Sequence, residues 1–323
     1  MASLREVKDH IASVRSTLKI TSAMKLVASA KLRKAQQAAE GVRPYTEALA
    51  GMLASVLAEP TAKSKGQVCD PQGASSTCIA FPQAPAPAST GGYDSEMDST
   101  RHATVIPSEA KESRVGIVAV ASNSSLCGGF NINVIHKVQE VVREIRDGGG
   151  EVEVISVGRK MAEAMRKEGF APEDHADLVG RNTFEKSAAF AQTLIDAFDS
   201  GRYGRILLIY NHFVSTASQK VQVEQYLPFA SNVSPSEAKE SDFILEPSRE
   251  EILATLLPQV MRLRIHTVLL DSIAAEHAAR TLAMQAASDN AEDLLAELTL
   301  EYNKGRQQKI TSEILDLIGG AQQ

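Results

Sequence analysis

The first apolar residues of the chain recur at alternating steps of three and four. This spacing predicts a helix with a coiled-coil seam along one side. Neither Gly nor Pro interrupts the run before Gly41, and a second apolar stretch after Pro44 carries the predicted helix to about Ala58. Such a helix would be roughly 80 Å long at about 1.5 Å per residue, which is too long for the interior of a compact domain. The seam residues are Leu4, Val7, Ile11, Val14 and Leu18.

A second long helix is predicted near the other end of the chain. The run from Ser248 to Glu251 has the pattern of a capping box, so a helix begins there, and no glycine follows until Gly305. Pro258 is expected to kink or offset its first two turns. The helical repeat then continues for roughly 90 Å or more. Its apolar members are Leu263, Leu270, Ile273, Met284, Leu294, Leu298, Tyr302, Ile310, Ile314 and Leu317.

The two long helices can bury their apolar stripes against each other. Each fully buried Leu or Ile contributes about 1.5–3 kcal/mol, and about a dozen such positions can hold the helices together if they run side by side. We therefore predict that residues 1–59 and 247–323 form an antiparallel coiled coil, which is a stiff rod.

The middle of the chain has a different character. Residues 60–112 are rich in Pro, Gly, Ser and Thr and show little periodicity, which predicts an irregular insertion. Within residues 113–246, apolar strand patterns alternate with amphipathic helix patterns, which predicts an open α/β sheet whose last two strands are antiparallel. The predicted strands are 115–120, 152–157, 205–210 and 221–227. An amphipathic helix pattern covers 134–145, and two further helices are predicted at about 159–168 and 184–199. The fold class is α/β with a long antiparallel coiled coil.

Composition narrows the classes of function. The net charge of −6 argues against a general nucleic-acid binder, yet residues 1–34 carry eight Lys or Arg against only Glu6 and Asp9. That basic stretch either solvates a helix face or meets an acidic partner. No segment approaches the roughly 18 uncharged apolar residues of a membrane helix, and the first residues lack the apolar core of a signal peptide, so we expect the chain to stay in the compartment of its synthesis. The three cysteines lack zinc-site spacing, and we expect a reducing cytoplasm and no metal.

Three separated motifs carry a family resemblance. The run from Lys19 to Arg33, the run Ser125-Leu-Cys-Gly-Gly-Phe-Asn131 and the C-terminal runs 275–291 and 302–314 closely resemble the gamma subunits of F-type ATP synthases. The resemblance covers the chain except for about 60–112. It implies a coiled-coil rotor shaft with a Rossmann-like α/β domain at its foot, surrounded by a ring of alpha and beta subunits. It also implies that the foot docks on the epsilon subunit and on the c-ring of the membrane sector, peripherally on the cytoplasmic face of a bacterial membrane.

The same resemblance implies which residues contact partners. Met24, Lys25 and Arg33 match positions near the acidic levers of beta, at a lower level of the rod. A second set matches positions that touch loops of beta during rotation, and it consists of Arg280, Arg306, Gln307, Thr311 and Glu313. The last apolar turn, residues 314–318, is either a frayed terminus or an apolar bearing at the top of the ring. No catalytic, cofactor-binding or metal-binding residue is implied.

Two features leave alternatives open. The loop 126–131 follows a strand and opens a helix, but no phosphate-binding glycine pattern is present, so we interpret it as a tight turn with Asn131 as the helix cap and Cys127 as a small packed residue. Cys69 and Cys78 are either incidental loop thiols or a redox switch. The rival functions are a nucleotide-dependent enzyme and a coiled-coil adaptor that does not rotate.

Overall fold

The computed structural model describes residues 4–58, 78–79, 114–180, 182–230 and 248–320. In chain order the helices are α1 (Leu4–Ala58), α2 (Phe130–Asp147), α3 (Arg159–Lys167), α4 (Asp177–Gly180), α5 (Phe184–Asp199) and α6 (Arg249–Gly320). The strands are β1 (Cys78–Ile79), β2 (Arg114–Val120), β3 (Glu151–Val157), β4 (Glu173–Asp174), β5 (Arg205–Phe213), β6 (Gln219–Leu227) and β7 (Phe229–Ala230). The predicted fold class, with a long helix near each end and an α/β sheet between them, is confirmed.

The two long helices form where the sequence predicts them. Helix α1 has 55 residues and helix α6 has 72, and each continues through its internal proline, Pro44 or Pro258. Ser248 precedes α6, and its side-chain oxygen accepts a hydrogen bond from the backbone amide of Glu251 at 3.3 Å. This bond satisfies one of the amides that the first turn of a helix leaves without a partner.

The helices run antiparallel along a shared seam, as predicted. Near one end of the seam, a β-carbon placed on Gly305 would lie 3.0 Å from the Cδ2 atom of Leu4, and further along the hydroxyls of Thr21 and Ser288 meet at 2.9 Å. The apolar seam between these two points comprises Val7, Ile11, Val14, Leu18, Ala291, Leu295, Leu298 and Tyr302.

Helix α6 is longer than the partner it packs against. Past Gly305, which faces Leu4, it continues through residues 306–320, a length of roughly 22 Å. We call residues 306–320 the overhang. Ile310 and Ile314 follow the helical repeat, but they lie in the overhang and are 47% and 51% exposed. The repeat alone therefore could not distinguish the seam from a face that helix α1 does not cover.

The central sheet has five strands in the order β4-β3-β2-β5-β6. Strands β4, β3, β2 and β5 run parallel to one another, and β6 pairs antiparallel with β5, as predicted from the sequence. The two-residue strand β1 pairs with β7. Strand β1 is the only part of the predicted insertion that the structure describes. Cys69 and the thiol of Cys78 lie outside the described residues.

The two faces of the sheet are covered by different helices. On one face, α2 and α3 bury side chains such as Val138 and Met161 against β2 and β3. On the other face, α5 and the first half of α6 bury Phe190, Met261 and Ile265 in one continuous core with the sheet. Helix α6 is thus part of the rod and also one of the covering helices of the α/β domain. The foot and the shaft therefore share a core.

Candidate partner-contact sites on the shaft

The lower set of predicted contact residues lies on one stretch of α1. Met24 and Lys25 are half-buried and Arg33 is exposed. Between them, Leu26 is 69% exposed and Val27 is 56% exposed. Large apolar side chains exposed next to cations are typical of a surface that another protein covers.

Four residues of the upper set lie on the overhang. Arg306, Gln307, Thr311 and Glu313 are all exposed. Their contacts within the described chain are local: the hydroxyl of Thr311 donates to the carbonyl of Gln307 at 2.9 Å, and Glu313 lies 3.8 Å from the ammonium of Lys309. An exposed ion pair of this kind contributes about 0–1 kcal/mol, so these side chains do little to hold the fold together.

Arg280 differs from the rest of the upper set because its guanidinium is engaged inside the molecule. Its Nη1 atom donates to Glu276 Oε1 at 2.7 Å, and the two side chains are only 11% and 7% exposed. Its Nη2 atom donates to the hydroxyl of Ser124 at 2.8 Å and to the carbonyl of Ser125 at 3.5 Å. The spacing of Glu276 and Arg280 in the sequence is that of a helical ion pair, but no local pattern predicts the attachment to the loop.

The loop that Arg280 reaches is the glycine loop between β2 and α2, residues 121–129. The predicted cap role of Asn131 is wrong: α2 begins at Phe130, and the Oδ1 atom of Asn131 accepts hydrogen bonds from the amide and hydroxyl of Ser122, at 3.0 and 2.9 Å. The Asn131 amide group donates to the sulfur of Cys127 at 3.1 Å. Cys127 is 2% exposed, which confirms it as a small packed residue. Asn131 thus ties both ends of the loop together.

Small side chains let this loop approach the shaft closely. Cys127 and Phe130 pack on Ala275 and Ala279 of α6, and a β-carbon on Gly128 would meet the methyl group of Ala283 at 3.7 Å. On the neighbouring face of α6, Ala274 and Ala278 pack on Leu32 and Ala35 of α1. Alanines on two faces of α6 therefore allow the helix to fit between α1 and the α/β domain.

Further polar contacts attach the sheet to the first half of α6. Asp271 accepts a hydrogen bond from the amide of Phe213 at 3.2 Å, and one of its oxygens lies 2.6 Å from the Nδ1 atom of His212. Burial raises the pKa of Asp271, while the bond to His212 opposes that rise. The sequence offers no signal for this pair, because its members are 59 positions apart and neither belongs to a local motif.

Two more contacts follow along α6. Arg264 pairs with Glu224 of β6 at 2.7 Å, and the hydroxyl of Tyr226 donates to the carbonyl of Met261 at 3.2 Å. Burial of Tyr226 raises the pKa of its hydroxyl, which therefore stays a donor. Together with Arg280 and Asp271, these residues attach the sheet to α6 over about five helical turns.

His277 lies beside the Arg280 attachment and is neutral at physiological pH. Burial, helped by the charges of Arg280 and Lys31, lowers its pKa from 6.5 to about 4. The Nδ1 atom of His277 lies 3.4 Å from Arg280 Nη1 and can accept a hydrogen bond from it. The residues around Arg280 therefore carry one buried ion pair and one uncharged acceptor.

The described residues contain neither a candidate metal site nor a candidate membrane-spanning helix. Across residues 4–58, 114–180, 182–230 and 248–320, no group of three His, Cys, Asp or Glu is arranged to hold a metal ion. No helix in the same ranges is long and apolar enough to cross a membrane.

The comparisons with known proteins agree with this geometry. The family model described as ATP synthase matches residues 3–323. The ATP synthase gamma chain of Phocaeicola vulgatus is 43% identical over 326 residues, with 99% of each chain covered. The gamma chain of Flavobacterium johnsoniae is 38% identical, covering 100% of this chain and 99% of its own.

Solved structures share the fold at lower identity. A chain of the Euglena gracilis mitochondrial ATP synthase, in a structure of OSCP, F1 and the c-ring, has a TM-score of 0.58 at 17% identity, with 99% of this chain and 93% of that chain covered. A chain of the Tetrahymena thermophila central stalk and c-ring structure has a TM-score of 0.52 at 18% identity, with 83% and 99% covered. The chain therefore belongs to the ATP synthase family, among the gamma chains of the F-type enzyme.

Proposed function

We propose that this gamma chain, the central rotor shaft of the F-type ATP synthase, exchanges torque with its partners through three surfaces. The overhang contacts loops of the beta subunits, the α1 stretch around Met24 meets acidic levers of beta, and the α/β domain docks on the epsilon subunit and the c-ring. The chain itself performs no nucleotide chemistry, and it reaches the cytoplasmic face of a bacterial membrane only through the complex.

The observation that carries this proposal is the exposure of the overhang. Arg306, Gln307, Ile310 and Ile314 lie on a helix that extends past the described start of α1. A single helix of about 15 residues is marginally stable in water, and exposing large apolar side chains on it is unfavourable. A surrounding ring of subunits would cover those apolar side chains and supply partners for the polar ones.

The asymmetry of the shaft explains how rotation can change affinity. Ion flow supplies about 2.3 kcal/mol per charge per 100 mV, so several ions must contribute to each ATP. A shaft that presents a different face to each beta subunit can shift the nucleotide affinity of that subunit, provided that the contact free energy differs between states. The exposed residues on the rod are the groups that can provide this difference.

The test is to remove partner-facing groups without changing the fold. Arg306→Ala and Gln307→Ala should lower ATP turnover by the assembled complex and leave the melting temperature of the free chain within about 1 °C of the wild type. Glu292→Ala, on the exposed face of the paired part of α6, is the control. Full turnover with both variants would contradict the contact assignment, and a lower melting temperature of the free chain would assign these residues to packing.

A coiled-coil adaptor that does not rotate is the remaining alternative, and one experiment separates it from the shaft. A cysteine introduced at Gln308 on the overhang can be crosslinked to a subunit of the surrounding ring. A rotating shaft would stop turning over ATP when crosslinked and would recover when the bond is reduced. An adaptor would retain turnover in both states.

A further inference from the structure

Arg280 adds polar links between α6 and the glycine loop to the core that the rod and the α/β domain already share. Within α6 it donates to Glu276 and lies within hydrogen-bond distance of His277, and two further bonds cross to the glycine loop at Ser124 and Ser125. The Glu276 carboxylate is nearly inaccessible to water, so it fixes the direction of the guanidinium toward the loop. A guanidinium that donates from two nitrogens, to Glu276 and to the loop, is a directional link that a lysine ammonium cannot reproduce.

The loop that receives these bonds is not in a relaxed conformation. Leu126 has a backbone φ of 67°, the only positive value among the non-glycine residues that the structure describes. A left-handed conformation costs such a residue about 1–2 kcal/mol, and the side chain of Leu126 is 58% exposed, so its burial does not compensate for that cost. Strain of this kind persists only where the surroundings impose it.

The surroundings of the loop are bonded on two sides. On the side of the sheet, Asn131 holds Ser122, and Asn123 donates to the carbonyl of Ala176 at 2.8 Å. On the side of the shaft, the described polar contacts to the loop come from Arg280. The apolar contacts there, from Ala275 and Ala279 to Cys127 and Phe130, are not directional.

We infer that Arg280 is a positioning residue that locks the glycine loop to the shaft, and that it acts on coupling through the loop rather than by touching a partner itself. The family resemblance predicts Arg280 as a partner contact, but its guanidinium is occupied within the chain. The loop holds Leu126 outward at the level where the α/β domain joins the rod. Fixing the loop to α6 therefore adds a directional polar link to the core that the foot and the shaft already share.

The first experiment uses the full chain alone and measures amide hydrogen exchange in residues 121–129. Arg280→Ala could unfold the region, because it leaves Glu276 buried without a partner. Ser124→Ala and Arg280→Lys are used instead, since each weakens the link to the loop and retains or replaces the charge beside Glu276. We expect exchange in the loop to accelerate by about tenfold or more, the effect of losing one charged hydrogen bond. Arg264→Ala, which breaks a different α6 contact, is the control and should leave loop exchange unchanged.

Equal loop exchange in Ser124→Ala, Arg280→Lys and the wild type would overturn the inference. A general acceleration across the α/β domain would also overturn it, because Arg280 would then be a packing residue. Acceleration confined to residues 121–129 supports the lock.

The second experiment measures the consequence for coupling, which rests on the proposed function. In the assembled complex, Ser124→Ala and Arg280→Lys should lower the number of ions pumped per ATP hydrolysed, while the rate of hydrolysis changes less. An unchanged ratio would overturn the claim that the loop acts on coupling. Failure of the proposed function would be distinguishable, because Arg306→Ala and Gln307→Ala would then be neutral while loop exchange still responded to Ser124→Ala.

Discussion

Thr21 of α1 and Ser288 of α6 share a buried hydrogen bond across the coiled coil, with 2.9 Å between their hydroxyl oxygens. The Thr21 hydroxyl also donates to the carbonyl of Leu18 at 3.1 Å. Because a hydroxyl has a single hydrogen, Ser288 must be the donor in the bond between the helices. Two polar side chains inside an apolar seam can form a hydrogen bond in only one register of the helices. This pair therefore specifies the register of α1 against α6.

We predict that Thr21→Val lowers the free energy of unfolding by about 1–3 kcal/mol, because Ser288 then keeps a buried hydroxyl without an acceptor. The double variant Thr21→Val with Ser288→Ala should recover most of this loss, since both polar groups are gone. Chemical denaturation of the three variants measures the coupling between the sites. Additive losses would show that the two hydroxyls do not depend on each other.

Gly158, between β3 and α3, should tolerate no side chain. Its φ is 111°, and a β-carbon there would lie 2.2 Å from the carbonyl oxygen of Ala121, which belongs to the neighbouring backbone. We expect Gly158→Ala to destabilise the α/β domain by more than about 3 kcal/mol, because the backbone itself would have to move. Gly149→Ala is the matched control: its φ is also positive, at 82°, but the space around it is open, so it should cost only about 1–2 kcal/mol. Similar melting temperatures for the two variants would contradict this reasoning.

Ser156 of β3 is fully buried, and its hydroxyl has no hydrogen-bond partner among the residues that the structure describes. Removing a buried polar group that lacks a partner should be favourable, so we predict that Ser156→Ala raises the free energy of unfolding by about 1 kcal/mol. Ser187→Ala is the contrasting control, because that hydroxyl lies 2.5 Å from the Oδ1 atom of Asn182 and 3.0 Å from the Nδ1 atom of His266. Thermal unfolding should move in opposite directions for the two variants.

The buried histidines of α6 predict a dependence on pH. The pKa of His277 is lowered to about 4 by burial and by the nearby cations Arg280 and Lys31, and burial also lowers the pKa of His266. Between pH 6.5 and 4 the unfolded chain binds more protons than the native one at His277, so stability falls as the pH falls, and the lowered pKa of His266 acts in the same direction. For His277 the slope is at most about 1.4 kcal/mol per pH unit, and partial exposure reduces it.

The measurement is urea denaturation at pH 7 and pH 5. We expect His277→Gln to lose less stability than the wild type over this interval, because one of the two histidines that resist protonation is gone. The same loss in both proteins would show that His277 titrates normally in the folded chain.

The sequence predicts the long elements of this fold well, because their periodicity is local. Helix α1 ends at Ala58 and helix α6 begins after Ser248, where the apolar repeat and the capping pattern place them. The antiparallel arrangement followed from the two apolar stripes. The helix α5 matches its predicted range, Phe184–Asp199, for the same reason.

What the sequence could not give are the contacts between distant segments. Asn131 is a residue type that often caps helices, yet its side-chain oxygen accepts a hydrogen bond from the amide of Ser122, nine residues earlier. The loop folds back over the start of α2 and brings these two groups together. Arg280 matched a partner-contact motif, yet the loop at Ser124, 156 residues away, occupies its guanidinium. Such pairings depend on which surfaces the whole fold brings together, and no local pattern encodes them. The two sets of exposed contact residues stay predictions until they are tested in the complex.

The overhang would differ in order and stiffness between the free chain and the assembled complex. A pair of packed helices resists bending far more than one helix does, so within the described residues compliance is greatest beyond Gly305, where α6 continues past the described start of α1. A single helix of this length is marginally stable in water, so the overhang would unwind readily in the free chain. Binding to the ring of subunits would then order the overhang. The entropy lost in that ordering would make the binding of the shaft to those subunits weaker. An overhang ordered in this way can rotate among the surrounding subunits, because its conformation depends on contacts with them and not on packing against α1.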